Sequence, residues 1–325
     1  MVSPDEFAPE PESNQKLISA LAIIGAEPGI PSFQEVMNSI LGLLDDPNMR
    51  LPDLSRTLEK DFNLCLKLTR TANSALYNRS GQPIRGIDHV IMLLGARAVR
   101  ELAGSMMYFN LYSQRPGGLK ELLLLSLLTA QTSREMAIHV NYEAPERVFL
   151  GGMFHNLGQV LVAAHFPNEH AEIRHLAERV EEPEESTVRK VLGFDFAELG
   201  EAIGRKMGLP ESVLLSMRRD SDGLGIEETI VTFGHELALA SFAAPAQQKT
   251  AYLEAVKRKY LPILQLTAAD VAGFLRSAIS ESSTVFSDAG SRIDNLRLLG
   301  DVDLAEATWA KLDKAERASE ESVPG

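Results

Sequence analysis

Residues 84–102 read Ile84-Arg-Gly-Ile-Asp-His-Val-Ile-Met-Leu-Leu-Gly-Ala-Arg-Ala-Val-Arg-Glu-Leu102, and this stretch decides the fold class. Ile87, Ile91, Leu94, Ala98 and Leu102, with Val90 alongside, recur at steps of three and four. That is the period of one face of an α-helix, whereas a half-buried strand alternates at every second residue. Gly95, inside the stripe, reads as a point of close packing against a neighbour.

Working outward, the same period returns almost everywhere between residues 14 and 280, and no strand-like alternation appears. Leu64, Leu68, Ala72 and Ala75 continue it on the N-terminal side, separated from Ile84 by a turn at Ser80-Gly81-Gln82-Pro83. Further back, Ser32-Phe-Gln-Glu35 is a capping-box pattern leading into the stripe Val36, Ile40, Leu43 and Leu44. Asp46-Pro47 stops that helix, and Pro52 suits the first turn of the next. On the C-terminal side, Arg115-Pro116-Gly117-Gly118 marks a boundary. Helices are expected beyond it at about 119–140, 145–165, 168–181, 184–192, 195–207, 210–219 and 226–242. Thr267 should cap a last helix running through Ile279, with Asp270 at its positive end. The expected organisation is an acidic disordered leader at 1–13, an N-terminal helical subdomain at 14–115 and a second at 116–245. A helical extension at 246–310 and a frayed tail at 311–325 complete it, and the fold class is all-α.

The chain has 325 residues and a formal net charge of −13, with 45% hydrophobic and 24% charged residues, an ordinary composition for a globular protein. Such a charge repels phosphate backbones and argues against general nucleic-acid binding. The single cysteine, Cys65, excludes an intrachain disulfide framework and a cysteine zinc site. The longest greasy run, 122–128, contains Ser126 and falls far short of the roughly 18–20 apolar residues of a membrane helix. The acidic, proline-rich start has neither the basic nor the apolar region of a secretion signal, so a cytoplasmic protein with no membrane partner is expected.

Two groups of residues go beyond generic helix. The first is Gly29-Ile-Pro-Ser-Phe33, then Asp61 through Thr71-Ala-Asn-Ser-Ala-Leu-Tyr77, then Pro83 through Leu93-Leu94-Gly95 and Val99-Arg100. The second is Phe149-Leu-Gly-Gly-Met-Phe-His-Asn-Leu-Gly-Gln159, followed by Gly208-Leu-Pro-Glu-Ser212. In this order and spacing, over roughly residues 28–240, the chain resembles the HDOD family of bacterial signalling domains, relatives of the HD phosphohydrolases. The resemblance implies an N-terminal helical bundle packed on a C-terminal bundle of HD-type descent. It also implies coupling to two-component or cyclic-dinucleotide signalling proteins.

HD hydrolysis needs several His and Asp side chains around one or two cations that activate water and clamp phosphate. By the resemblance, the His-Asp pair falls on His155-Asn156, and an amide is a far poorer ligand for a hard cation than a carboxylate. The His of an earlier helix falls near Leu125, which cannot ligate. A later His-bearing motif falls near Arg219-Asp220-Ser221, with Arg218 and Arg219 adding positive charge, and the last Asp falls near His235. A His beside Asp195 is replaced by Phe196. Only His155 stands where an enzyme would want it, so no catalytic residue, metal or cofactor is expected.

His155-Asn156 reads chiefly as a hydrogen-bonded structural pair, with ligand contact as a second role and metal binding as a third. His165, His170 and His175 recur every five residues, about 500° of helical turn, and drift around the helix instead of stacking; a solvated surface role is expected. Ser126 and Ser133 have no His and acid in a nucleophilic arrangement. No phosphate-cradling glycine motif is present. Arg70, Arg79, Arg97 and Arg100 form a modest basic grouping, and with Asn73, Ser74 and Tyr77 they are candidate contacts for a partner or ligand. Asn73 and Ser74 also suit capping. Trp309 is expected in the weakly ordered tail as a candidate docking anchor. The functional expectation is a non-catalytic signalling or scaffold protein that binds a protein partner or small signalling ligand, with homo-oligomerisation open. A divergent metal-dependent phosphohydrolase and a nucleotide sensor are the alternatives.

Overall fold

The computed structural model describes residues 11–26, 50–58, 62–73, 77–78, 81–84, 86–113, 119–179, 184–218, 225–243, 246–288, 309 and 311. Among these residues every regular element is helical. The Ser32–Glu35 box, its stripe, Ala75, Ser80 and the punctuation at 115–118 lie outside them.

The chain divides into two compact units, each built from separate segments: 1–112 with 156–218, and 113–155 with 219–325. The boundary near 113 coincides with the Pro-Gly punctuation. The consecutive blocks read from the sequence do not describe the rest, because punctuation marks where helices end and not which helices pack together.

In the first unit, α1 is Pro11–Gly25, α2 Leu51–Leu58, α3 Phe62–Ala72, α4 Ile87–Leu94 and α5 Ala96–Ser113. α1 starts at Pro11, inside the stretch read as a disordered leader; proline fits the first turn, where its missing N–H has no intrahelical partner. The stripe at 84–102 is broken in two at Gly95, whose φ is +83°. A Cβ there would meet nothing within 4 Å, so Gly95 serves backbone conformation and not close packing. The Ser55 hydroxyl of α2 donates to Asp88 in the first turn of α4. The Asn73 amide donates to the Thr69 and Ile84 carbonyls at 2.9 and 2.8 Å, and its carbonyl oxygen accepts from Ile84 N–H at 2.8 Å. Asn73 thus ties α3 to the strand of loop before α4, the capping and connecting role its residue type suggests.

The unit's second segment holds α8 (Leu157–His165), α9 (Pro167–Arg179), α10 (Glu184–Leu192), α11 (Phe196–Lys206) and the short α12 (Glu211–Leu215). Asp195 and Glu198 form a reciprocal capping box at the start of α11, with both bonds at 2.8 Å. α8 packs on α11 because Gly158 lets the two backbones touch: a Cβ on Gly158 would lie 1.8 Å from the Phe196 carbonyl oxygen.

In the second unit, α6 (Leu119–His139) lies between α7 (Pro145–Phe154), α13 (Ile226–Ala238) and α15 (Ala268–Asp288). A π-helical turn, Leu239–Ala243, and α14 (Ala246–Leu264) follow α13. α6 is buried on all sides from Leu123 through Arg134; its run 123–128, apolar except for Ser126, suits such a position, while Thr129, Thr132 and Ser133 are buried polar residues. The single helix expected over 145–165 is two, interrupted at His155-Asn156, and the helix expected to 242 turns π-helical after Ala238. Thr267 caps α15 as read: its hydroxyl accepts from Asp270 N–H at 3.2 Å, and the Asp270 carboxylate accepts from Thr267 N–H at 2.9 Å. The helix runs past Ile279 to Asp288. Trp309 is fully buried and is therefore not an exposed docking anchor; its large apolar surface is better removed from water.

Candidate functional site

The second unit brings His155 and His235 together. Their rings are tilted by 47° with centroids 4.4 Å apart, and the residues are 6% and 5% exposed. His155 sits at the C-cap of α7 and His235 in the last turn of α13. Two glycines near them draw their helices onto α6. A Cβ on Gly152 would lie 2.7 Å from Ala130 Cα, and one on Gly234 would lie 2.1 Å from Ser133 Oγ. The Ser133 hydroxyl donates to the Ile230 carbonyl at 3.4 Å, a second link from α6 to α13.

Leu125 is buried on α6 and brings no donor. The same helix buries Ser126, Thr129 and Thr132, and α13 buries Thr232; the hydroxyls of these four have no hydrogen-bond partner among the described residues. Arg134, 1% exposed, lies with its guanidinium carbon 5.5 Å from the centre of the Phe149 ring. Among the described residues no three His, Cys, Asp or Glu side chains converge. The donors that are described are two imidazoles, and imidazole suits zinc or copper more than the oxygen-seeking magnesium and manganese. These two described donors alone do not make up the oxygen-rich ligand set of a pair of hard cations.

Asn156 opens the first unit's second segment. It is buried, and its carbonyl accepts from Val160 N–H at 3.0 Å, starting α8; its side chain makes no capping bond.

The remaining candidates are dispersed. Arg218 makes a two-bonded ion pair with Glu201 at 2.7 and 2.9 Å, and Arg205 does the same with Glu211 at 2.8 and 2.9 Å. Arg70 is exposed in the last turn of α3 and Tyr77 is half-buried. Arg97 and Arg100 are helical positions of α5 whose side chains, like Ser74, Arg79, Arg219 and Asp220, lie outside the described residues. His165 is half-buried 6.5 Å from the Tyr112 ring and so departs from the solvated role expected, while His175 is exposed. Tyr108, fully buried next to Tyr112, is held well above the ordinary phenol range, first by burial and then by that neighbour.

One polar cluster was not singled out from the sequence. Glu227 in the first turn of α13 accepts from the Tyr142 hydroxyl and from Arg147 Nε, each at 2.8 Å, and Arg147 also donates to the Tyr142 oxygen at 2.8 Å. Burial pulls Arg147 down, but its bonds to Glu227 and Tyr142 leave it above its usual value. Only Pro145 at a helix start hinted that this corner is ordered. Tyr142 and Arg147 are neighbours in sequence, but Glu227 comes from a distant segment, which no local period reveals.

The HDOD domain model matches residues 30–222. Among solved structures the chain is similar to an HDOD domain protein of unknown function from Geobacter sulfurreducens, with 18% identity, a TM-score of 0.62, and coverage of 85% of this chain and 98% of that one. It is also similar to a protein of Shewanella amazonensis SB2B provisionally named a phosphohydrolase, with 17% identity, a TM-score of 0.58, and coverage of 84% and 97%. A protein of Marinobacter aquaeolei VT8, provisionally named a signal transduction protein, matches with 18% identity, a TM-score of 0.57, and coverage of 86% and 65%. No curated protein matches the sequence significantly. Among the described residues no helix is long and apolar enough to cross a membrane.

Proposed function

The chain belongs to the HDOD family, and we propose that it works as a cytoplasmic, non-catalytic signal-transduction protein. Its HD-type helical bundle serves as a platform for a protein partner or a small signalling ligand. The observation that carries this reading is the buried His155–His235 pair. At positions where the HD enzymes place a carboxylate-rich cation site, this chain presents two imidazoles, with Leu125 and Asn156 standing for two further ligands. With no carboxylate among the described residues of this site, a hard cation has few of the ligands that hold it or of the charges that would lower the pKa of its water. What is left is architecture: α7 and α13 fixed on α6 by glycine contacts.

The reading is tested by turnover of a generic phosphodiester with manganese added, comparing the intact chain with His155→Ala and His235→Ala. The expected result is the same background rate in all three. Turnover that falls at least a hundredfold in either variant, with the fold intact by circular dichroism, contradicts the reading. The small-ligand arm is tested by thermal shift against cyclic dinucleotides, since a ligand at about 100 times its Kd stabilises by about 2.7 kcal/mol.

A further inference from the structure

The first half of helix α1 is polar, from Glu12 to Lys16, but its second half has almost no polar side. Its residues 17–24 are Leu-Ile-Ser-Ala-Leu-Ala-Ile-Ile, with Ser19 the only polar side chain. α1 packs on α11, and Ala20 and Ile24 are buried. Ile18 and Ile23, however, are 61% and 55% exposed. A helical segment that is apolar on every side is ordinarily covered on every side, but among the described residues the outward face of 17–24 is left uncovered. It borders a groove of about 590 Å³ lined by Lys16 and Ile23 of α1 and by Phe166, Glu169 and Phe194. The stem of Lys16 passes over Gly193, where a Cβ would come within 2.9 Å of its Cδ. Neither Lys16 nor Glu169 makes an ion pair among the described residues.

We propose that this face is where two copies of the chain pair about a two-fold axis, the exposed ridge of each α1 seated along the groove of the other. In such an interface the same patch meets itself, so a residue i that contacts j is matched by j contacting i. An apolar ridge flanked by a cation and an anion, neither ion-paired among the described residues, meets that requirement: Lys16 of each copy faces Glu169 of the other. An anionic membrane surface is the poorer match, because the chain's net charge of −13 and Glu169 both oppose it. The pairing does not depend on the platform reading, since α1 precedes the matched family region and a dimer could form with or without catalysis.

Sedimentation equilibrium of the full chain tests the proposal. The intact protein should be a dimer in the micromolar range, and Ile18→Glu with Ile23→Glu should weaken it about a hundredfold or more, with an unchanged thermal melt at dilutions where both proteins are monomeric, because both positions are exposed. Lys16→Glu alone and Glu169→Lys alone should each weaken the dimer about tenfold, since each converts two exposed attractive pairs into repulsive ones. The double variant Lys16→Glu with Glu169→Lys should recover the original affinity. A monomer at every concentration overturns the proposal. So does a dimer indifferent to the two isoleucine changes, or single charge reversals that the double variant fails to rescue; a face made for a different protein would give one of these results.

Discussion

The two units close their helix seams with the same device and different partners. In the first unit, Gly158 of α8 lies against the backbone of α11, where a Cβ would come within 1.8 Å of the Phe196 carbonyl. In the second, Gly234 of α13 lies against a side chain of α6, where a Cβ would come within 2.1 Å of the Ser133 hydroxyl. A backbone carbonyl fixed by a capped helix start cannot step aside, but a hydroxyl can be removed by one substitution. The α8–α11 spacing is therefore set by main chain alone. The α6–α13 spacing, which positions His235 against His155, is set partly by a replaceable side chain.

The largest effect should come from Gly158→Ala. Overpacking against main chain costs about 3 kcal/mol, the upper part of the usual range, read as a loss of midpoint in urea unfolding. Gly234→Ala should cost about 2 kcal/mol, falling to about 1 kcal/mol in a Ser133→Ala background, where the nearest remaining contacts of the new methyl, the Cβ of residue 133 and the Thr129 carbonyl, are at 3.2 Å. Equal costs in both backgrounds would break the contrast between the seams. Smaller still is the cap of α15. Partial burial pushes the Asp270 carboxyl up, but its hydrogen bonds with Thr267 outweigh this and leave it below the usual carboxylate range. Asp270 thus stabilises the fold when ionised, and that contribution is lost as pH falls through its lowered folded-state value. Asp270→Asn should cost about 1 kcal/mol at neutral pH and nothing at acid pH, measured by denaturation at both. The smallest effect belongs to Arg218→Ala, which removes an exposed pair with Glu201 worth about 0.5 kcal/mol; a loss several times larger would mean that this ion pair, and not the glycine contacts, holds the α11 region.

The all-α class was legible because the three-and-four spacing persists through nearly every segment. What remained hidden depends on distance. His155 and His235 are far apart in sequence; the family resemblance placed both on the ancestral ligand set, but only folding onto α6 put the rings in contact. The break at His155-Asn156 carried no proline signal, and the close approach of Gly158 to Phe196 just after it joins segments far apart in sequence. The Asp195–Glu198 box was present as a spacing but was absorbed into a helix read as starting at 195. Trp309 was misplaced for the opposite reason: its polar surroundings suggested a tail, while its own apolar area keeps it buried. The discontinuous units follow no local period at all.

The account rests on the claim that this histidine pair no longer holds hydrolytic cations. Metal analysis by mass spectrometry, after dialysis of the intact chain against manganese and removal of free ion, addresses that claim most directly. The prediction is well under one manganese per chain, unchanged in His155→Ala. Two equivalents per chain that disappear in the variant would contradict it.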